Sequence, residues 1–342
     1  MNATTYAIDI AKSVFQVHWV EPATGEIHRK KLARAKVLEF LARKAAGVVV
    51  MEACGGAHHW ARQIAALGHQ VQLLPARQVR AFVSGNKDDA ADARAIWLAA
   101  QHGDIRRVAV KSCEQQVQQS IHRMRSHWVS LRTATTNALR GLLYEFGITF
   151  PRGRKIVVRA LVEQRALLDS TLPAPMLRLV DQQMLALREI DQHILALERE
   201  IELACKSSEL AMRLMKVPGI GILGATALAS TLADASGWRN AREFAACVGL
   251  TPTHSGTGGK VRTGAISKRG DAYLRTLVIH GARSLARFPD KFEWVTELLR
   301  RRPLNVVVVA IAHKLAKIAW AMAAHGSAYQ ARWKPAARQP AG

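Results

Sequence analysis

Two short apolar runs in this chain each carry a carboxylate in a place where a carboxylate is costly. Asp9 stands inside Tyr6-Ala-Ile-Asp-Ile10, and Glu52 ends Val48-Val-Val-Met-Glu52. Runs of this length, rich in β-branched residues and bounded by turn signals, predict buried strands. Asp is depleted in strands, and burying an unpaired charge is unfavourable. A fold that accepts both runs must therefore bring the acids to a place where a metal ion or an arginine can meet them.

The surrounding pattern says which sheet that is. Thr5–Ile10 is apolar, Val14–Val20 alternates, and Pro22-Ala-Thr-Gly25 is a turn before a third strand over 26–31. A helix is expected over 35–43. A buried strand follows at 48–51, a second helix at 57–67, and a fifth strand at Gln70–Leu74, ended by Pro75. Three meandering strands followed by strand–helix–strand is the order of an RNase H-like (RuvC-like) α/β fold.

A second acidic feature follows in Asn86-Lys-Asp-Asp-Ala-Ala-Asp-Ala93. Asp89 and Asp92, three apart, share one face of the helix expected over 88–100. Alone, the pair is best read as acids complementing a helix N-terminus, with Asp88 as cap. Together with Asp9 and Glu52 it becomes a set of four carboxylates able to hold two Mg²⁺ ions about 3.5–4 Å apart, the clamp used for phosphodiester chemistry.

Charge points to the same substrate class. The chain has 49 Lys+Arg against 26 Asp+Glu among 342 residues, a net charge of +23. An excess of this size concerns partners, and nucleic acid leads the candidates. A membrane is not expected, because the most apolar late segment, 306–312, stops at His313-Lys314, well short of the roughly 20 residues that span a bilayer. No signal peptide is read at the N-terminus, and the four cysteines form no C-x-x-C, which suits a reducing cytoplasm.

The middle of the chain is helical. A long helix is expected over 113–146, with Arg123, Arg125, Arg132 and Arg140 available to a phosphate backbone. Leu177, Val180, Met184, Leu187, Ile190, Ile194, Leu197 and Ile201 then recur at threes and fours. That seam serves equally a helix packed within its own domain and a coiled coil joining protomers or domains.

Two motifs mark the last third. Val217-Pro-Gly-Ile-Gly221 reads either as an ordinary helix–helix turn or as a helix-hairpin-helix turn whose Gly219 and Gly221 expose N–H groups to phosphate. Ser255 lies in Thr253-His-Ser-Gly-Thr-Gly-Gly-Lys260. Most serines in such company are turn residues. Here Gly256, Gly258 and Gly259 permit close backbone approach, and Lys260, Arg262, Lys268, Arg269 and Arg275 supply charge for a developing phosphorane. The segment is not a P-loop, since His254 and Val261 stand where Gly and Ser/Thr are required.

In order and spacing, Ala7-Ile-Asp-Ile-Ala-Lys12, Met51-Glu-Ala-Cys-Gly55, Asn86 to Arg94, Val217 to Gly221, Gly249-Leu-Thr-Pro252 and Ser255 through Asp271 resemble the DEDD-type insertion-sequence transposases of the IS-one-ten family, and within it the IS-eleven-eleven branch. The resemblance implies a RuvC-like domain over residues 1–155 with its tetrad on Asp9, Glu52, Asp89 and Asp92. It implies a coiled-coil linker over 156–210, and a mainly α C-terminal transposase domain over 211–328 with nucleophilic Ser255. Residues 329–342 are expected to form a disordered tail. It further implies a recombinase active on donor and target DNA, guided by a structured noncoding RNA, working as a homo-oligomer (dimer or tetramer) in which one protomer's acids meet another's serine. Where relatives often carry Thr or Asn, this chain has Asp88, so the D-x-x-D-A spacing selects Asp89 and Asp92. A junction nuclease with water as nucleophile and a non-enzymatic nucleic-acid scaffold are the rival readings.

Overall fold

The computed structural model describes residues 3–83, 89–150, 153–257 and 260–330, with side chains throughout except at 89, 90, 154, 155, 260, 261 and 291. Asp88, Gly258, Gly259, residues 151 and 152 of the basic loop at 151–155, and the tail beyond 330 therefore lie outside the described residues. The chain divides into two compact units, Met1–Cys113 and Glu114–Gly342.

The first unit is built on β1 (Thr5–Ile10), β2 (Val14–Val20), β3 (Ile27–Ala33), β4 (Val48–Glu52) and β5 (Gln70–Leu74). These pair in the order β3-β2-β1-β4-β5. The first three strands are antiparallel neighbours, as two short turns dictate. The crossovers through α1 (Val37–Ala42) and α2 (Ala57–Ala65) make β4 and β5 parallel to β1. Alternation sorts the side chains. Tyr6, Ile8, Phe15, Val17, Val49, Met51 and Leu73 pack against Val37, Leu41, Trp60 and Ile64 on the face covered by α1 and α2. Ala7, Val50 and Leu74 look the other way, against Ala95, Ile96 and Ala99 of α4 (Asp89–Ala100); a short α3 (Ala76–Val79) precedes it. Each large apolar side chain buried in these layers contributes about 1.5–3 kcal/mol.

Among its described residues, the second unit is helical apart from one hairpin. Its first long helix, α5 (Cys113–Glu145), begins at the boundary, and α6 (Arg154–Glu163) and α7 (Arg165–Thr171) lead to α8 (Ala174–Ser207). Arg125 pairs with Glu198, and Arg132 with Asp191 at 3.0 Å. As α5 advances by seven residues, α8 retreats by seven, so the two helices are antiparallel. Trp128 stacks on His193 between the pairs, with centroids 4.5 Å apart. Val180 and Leu187 of the heptad seam are buried with Leu139 and Leu143 of α5 in the same chain. The structure thus gives the seam an intrachain partner. It also engages the arginines read as a phosphate-binding face: Arg125 and Arg132 hold acids of α8, and Arg140 donates to the Phe150 carbonyl.

The remaining core joins α9 (Glu209–Leu214), α10 (Ile222–Thr231), α11 (Ala241–Cys247), α12 (Ala272–Ala286), α13 (Glu293–Arg301) and α14 (Leu304–His325). The expectation that no apolar stretch approaches membrane-spanning length needs correction. Among the described residues α14 is one helix long and apolar enough, with 22 residues. His313, Lys314 and Lys317 interrupt the apolar run without ending the helix, because Val307, Val308, Ile311, Ala312, Leu315, Ala316 and Ala319 still form one continuous buried face. That face lines the core of this unit.

Gly219 (φ +85°) and Gly281 cross at backbone distance: a Cβ on Gly281 would lie 1.8 Å from the Gly219 carbonyl oxygen. The Val217–Gly221 turn is therefore seated on α12 through Gly219, whereas a Cβ on Gly221 would meet nothing within 4 Å. We expect Gly281→Ala to cost about 1–3 kcal/mol of stability, and Gly221→Ala to stay within about 0.5 kcal/mol of wild type. Thermal denaturation of the two variants side by side checks this.

Candidate active site: an acidic sheet edge and a serine hairpin

The acidic site is set by strand register. β1 pairs Ile8 with Met51 of β4 in parallel, so one residue further along Asp9 and Glu52 stand side by side, about 4.8 Å apart on neighbouring strands. Both lie on the face that α4 covers, because Ile8 and Met51 take the other. Asp92, one turn into α4, comes close enough to act on Glu52 electrostatically. The Glu52 pKa is raised above the ordinary carboxylate range, first by burial and then by the Asp92 charge. All three carboxylates are half-buried.

Three of the four expected acids thus converge from three elements. Asp89 begins α4 one turn before Asp92, and its side chain lies outside the described residues. Among the described residues, no group of three or more His, Cys, Asp or Glu side chains is already gathered as a metal cage. The donor chemistry nonetheless fits a hard divalent cation. Oxygen donors are crowded together, and the charge on one of them is disfavoured by its surroundings, a cost that a cation would offset.

The second site is in the other unit. The glycine-rich segment, whose composition suggests turns, is an antiparallel hairpin of β6 (Pro252–Thr257) and β7 (Lys260–Ile266). Glycine, serine and threonine disguised it, while Val261, Thr263 and Ile266 carry the strand signal. Ser255 is exposed and sits opposite Arg262, on the same face of the hairpin. Lys260 occupies the register position opposite Thr257, and Gly256 faces Val261.

The base of this hairpin is clamped by backbone contact. The Ser267 N–H donates to the Thr251 carbonyl, and the Lys268 N–H to that of Gly249. A Cβ on Gly249 would lie 2.1 Å from the Arg269 oxygen, and one on Gly270 1.7 Å from that of Cys247. Arg275 Nη1 donates to the carbonyls of Val248 and Arg269, at 3.0 and 3.3 Å. This residue, expected to meet nucleic acid, thus also braces the two loops from which the hairpin springs. Arg269 and Lys268 are both exposed, the latter held at φ +52°.

Sequence reasoning missed a neighbouring feature. An open cleft of about 370 Å³ beside β6 is lined by Arg239, Arg242, Asn240, Glu243 and His254, among others. Its arginines flank the start of α11, which Asn240 caps. A cap followed by charges reads as an ordinary helix start, so nothing local pointed to the hairpin.

Asp92→Asn should lower the Glu52 pKa while leaving it above the ordinary range, because burial, the larger cause, persists. Side-chain carboxyl NMR titration of the two proteins reads this directly; an unchanged Glu52 midpoint would mean that Asp92 does not act on it.

Comparison with known proteins supplies the family. Residues 6–148 match the family described as DEDD_Tnp_IS110, Transposase, and residues 211–296 match Transposase_20, described as Transposase IS116/IS110/IS902 family. Over 336 residues the chain is 44% identical to a "Probable family 20 transposase" of Pseudomonas aeruginosa, covering 96% of this chain and 99% of the relative. It is 36% identical over 333 residues to the "Transposase for insertion sequence element IS1328" of Yersinia enterocolitica, covering 96% and 99%. It is likewise 36% identical over 328 residues to the "Transposase for insertion sequence element IS1111A" of Coxiella burnetii, covering 94% and 90%. With an α/β unit that brings acids together at a sheet edge and a mostly helical unit that presents a basic hairpin, this chain belongs to the IS116/IS110/IS902 family of transposases, enzymes of DNA transposition encoded by insertion sequences.

Proposed function

We propose that this transposase cuts and rejoins DNA with a metal-binding tetrad, Asp9, Glu52, Asp89 and Asp92, and a nucleophilic serine, Ser255. The observation that carries the reading is the convergence of Asp9, Glu52 and Asp92 from β1, β4 and α4. The strand order β3-β2-β1-β4-β5 supports an RNase H-like, RuvC-like assignment for the first unit. The four-part division into residues 1–155, 156–210, 211–328 and a tail remains part of this reading.

Asp9 and Glu52, with Asp92 and Asp89 from the helix, would hold one or two Mg²⁺ ions. Bound there, Mg²⁺ supplies positive charge to the scissile phosphate and favours ionisation of an attacking hydroxyl. The chain's own residues do the rest. Ser255 Oγ forms a bond to phosphorus, and the bond from phosphorus to one deoxyribose oxygen breaks. That oxygen leaves as a free hydroxyl, taking up a proton in place of the one the serine gave up. The phosphoserine link conserves the bond for exchange to a second strand. Arg262, directly opposite Ser255, would stabilise charge on the phosphorane, and Lys260, Lys268 and Arg269 would add to the field.

The partners in this reading are donor and target DNA. A guide noncoding RNA and a homo-oligomeric assembly rest on the family resemblance, and the +23 charge supports the nucleic-acid partners. The setting is the bacterial cytoplasm, at the nucleoid.

Asp9→Asn or Asp92→Asn should abolish strand cleavage in Mg²⁺ and leave DNA affinity nearly intact, since few phosphate contacts are lost. Full cleavage by either variant would remove the metal-cluster assignment. Ser255→Ala should lose the covalent protein–DNA species and recombination together while still binding DNA. On a denaturing gel with a nicked trapping substrate, wild-type cleavage without a covalent adduct would favour the junction-nuclease reading, in which water attacks, and an adduct in Ser255→Ala as abundant as in wild type would give the nucleophile to another residue.

A further inference from the structure

Three consecutive cations on β3, Arg29-Lys-Lys31, are divided between the two faces of the sheet. The register pairs Gln16 with Lys31 and His18 with Arg29. It also pairs Asp9 with Gln16 and Ala7 with His18. Lys31, Gln16, Asp9 and Glu52 therefore form one cross-strand row on one face, and Arg29, His18, Ala7 and Val50 form the next. Lys30 points to the opposite face, where its ammonium lies 5.1 Å from the centre of the Phe40 ring.

The face that holds the acids thus continues into a cationic strip at the β3 edge. Arg29 and Lys31 are exposed, as is Arg94, which leaves α4 two residues after Asp92. Arg29 and Arg94 both act on the buried His18 ring and, after burial, help to hold its pKa below the ordinary value. The Nδ1 atom of that ring has no hydrogen-bond partner among the described residues. None of the three cations forms an ion pair with another described residue. Like charges gathered around a neutral ring repel one another, and a polyanion laid over them relieves that repulsion. The span is suitable. Two strand spacings of about 4.8 Å place Lys31 roughly 10 Å from Asp9, on the order of three nucleotides at 3.4 Å rise along a strand.

We propose that Arg29, Lys31 and Arg94 form a phosphate track that leads the DNA strand being cut over Gln16 to the Asp9–Glu52–Asp92 cluster. The track rests on the metal-cluster reading for its direction, and its test is separable from that reading. Full-length protein is titrated with a labelled DNA duplex in Ca²⁺ at several salt concentrations, and Mg²⁺-dependent cleavage is followed in parallel. Arg29→Ala/Lys31→Ala should weaken binding at least fivefold and reduce the log–log salt slope by about 1.8, two contacts at about 0.9 each. Lys30→Ala, the same charge one residue away on the other face, should change neither. The charge-preserving Arg29→Lys/Lys31→Arg should restore the slope, which separates lost contacts from lost folding. A double alanine variant with the wild-type slope, or an equal loss in Lys30→Ala, overturns the track. Failure of the metal-cluster reading takes another form: wild-type protein that binds DNA and gives no Mg²⁺-dependent cleavage.

Discussion

The parallel pairing of β1 with β4 is the constraint on which the acidic site depends. It fixes Asp9 beside Glu52, because two strands that match Ile8 with Met51 have no other place for the next pair. A slip of one residue would turn Asp9 or Glu52 into the layer occupied by Phe15, Val17 and Trp60, so the apolar face enforces the register that creates the site. The price is electrostatic. The Glu52 pKa is raised by burial and by Asp92, and a carboxyl with a raised folded-state pKa contributes stability that is fully present below its unfolded pKa. That contribution is lost as pH rises through the folded value, which leaves the ionised cluster as a cost above it. The N-terminus of α4 offsets part of this through its dipole, and a bound cation would offset more.

The second unit applies the same economy to Ser255. The serine is exposed on a hairpin, a mobile kind of element when isolated. Its two strands spring from loops held backbone against backbone by Gly249, Gly270 and Arg275. Asp271 then caps α12 by accepting from the N–H groups of Tyr273 and Leu274, which ties the end of the hairpin to the helical core. In the proposed reaction, such rigid support would limit how far the serine strays from a bound phosphate.

Much of the first unit was legible in the sequence because its signals are local. Alternation over Val14–Val20, the apolar run at Val48–Glu52 and Pro75 after Leu74 name strands and their ends without reference to anything distant. Asp9 and Glu52 stood out because they violate those same patterns. The rest depended on partners far away in the chain. The arginines of α5 read as free charges until Glu198 and Asp191 of α8 arrived opposite them. The β6–β7 hairpin was hidden by the glycine, serine and threonine of its own strands, and it shows only once Ser255 and Arg262 stand opposite each other. In α14, His313 and Lys314 looked like an end and are instead polar positions on a helix whose other face is core.

The central claim is that the register-defined carboxylates bind divalent cations in the presence of DNA. Crystals of the protein with a DNA duplex, soaked in Mn²⁺ and measured at the manganese absorption edge, test it most directly. The account predicts anomalous peaks within coordinating distance of the carboxylates of Asp9, Glu52 and Asp92, reduced or lost in Asp9→Asn. A fully bound DNA with no peak at Asp9, or with manganese only elsewhere on the chain, would contradict it.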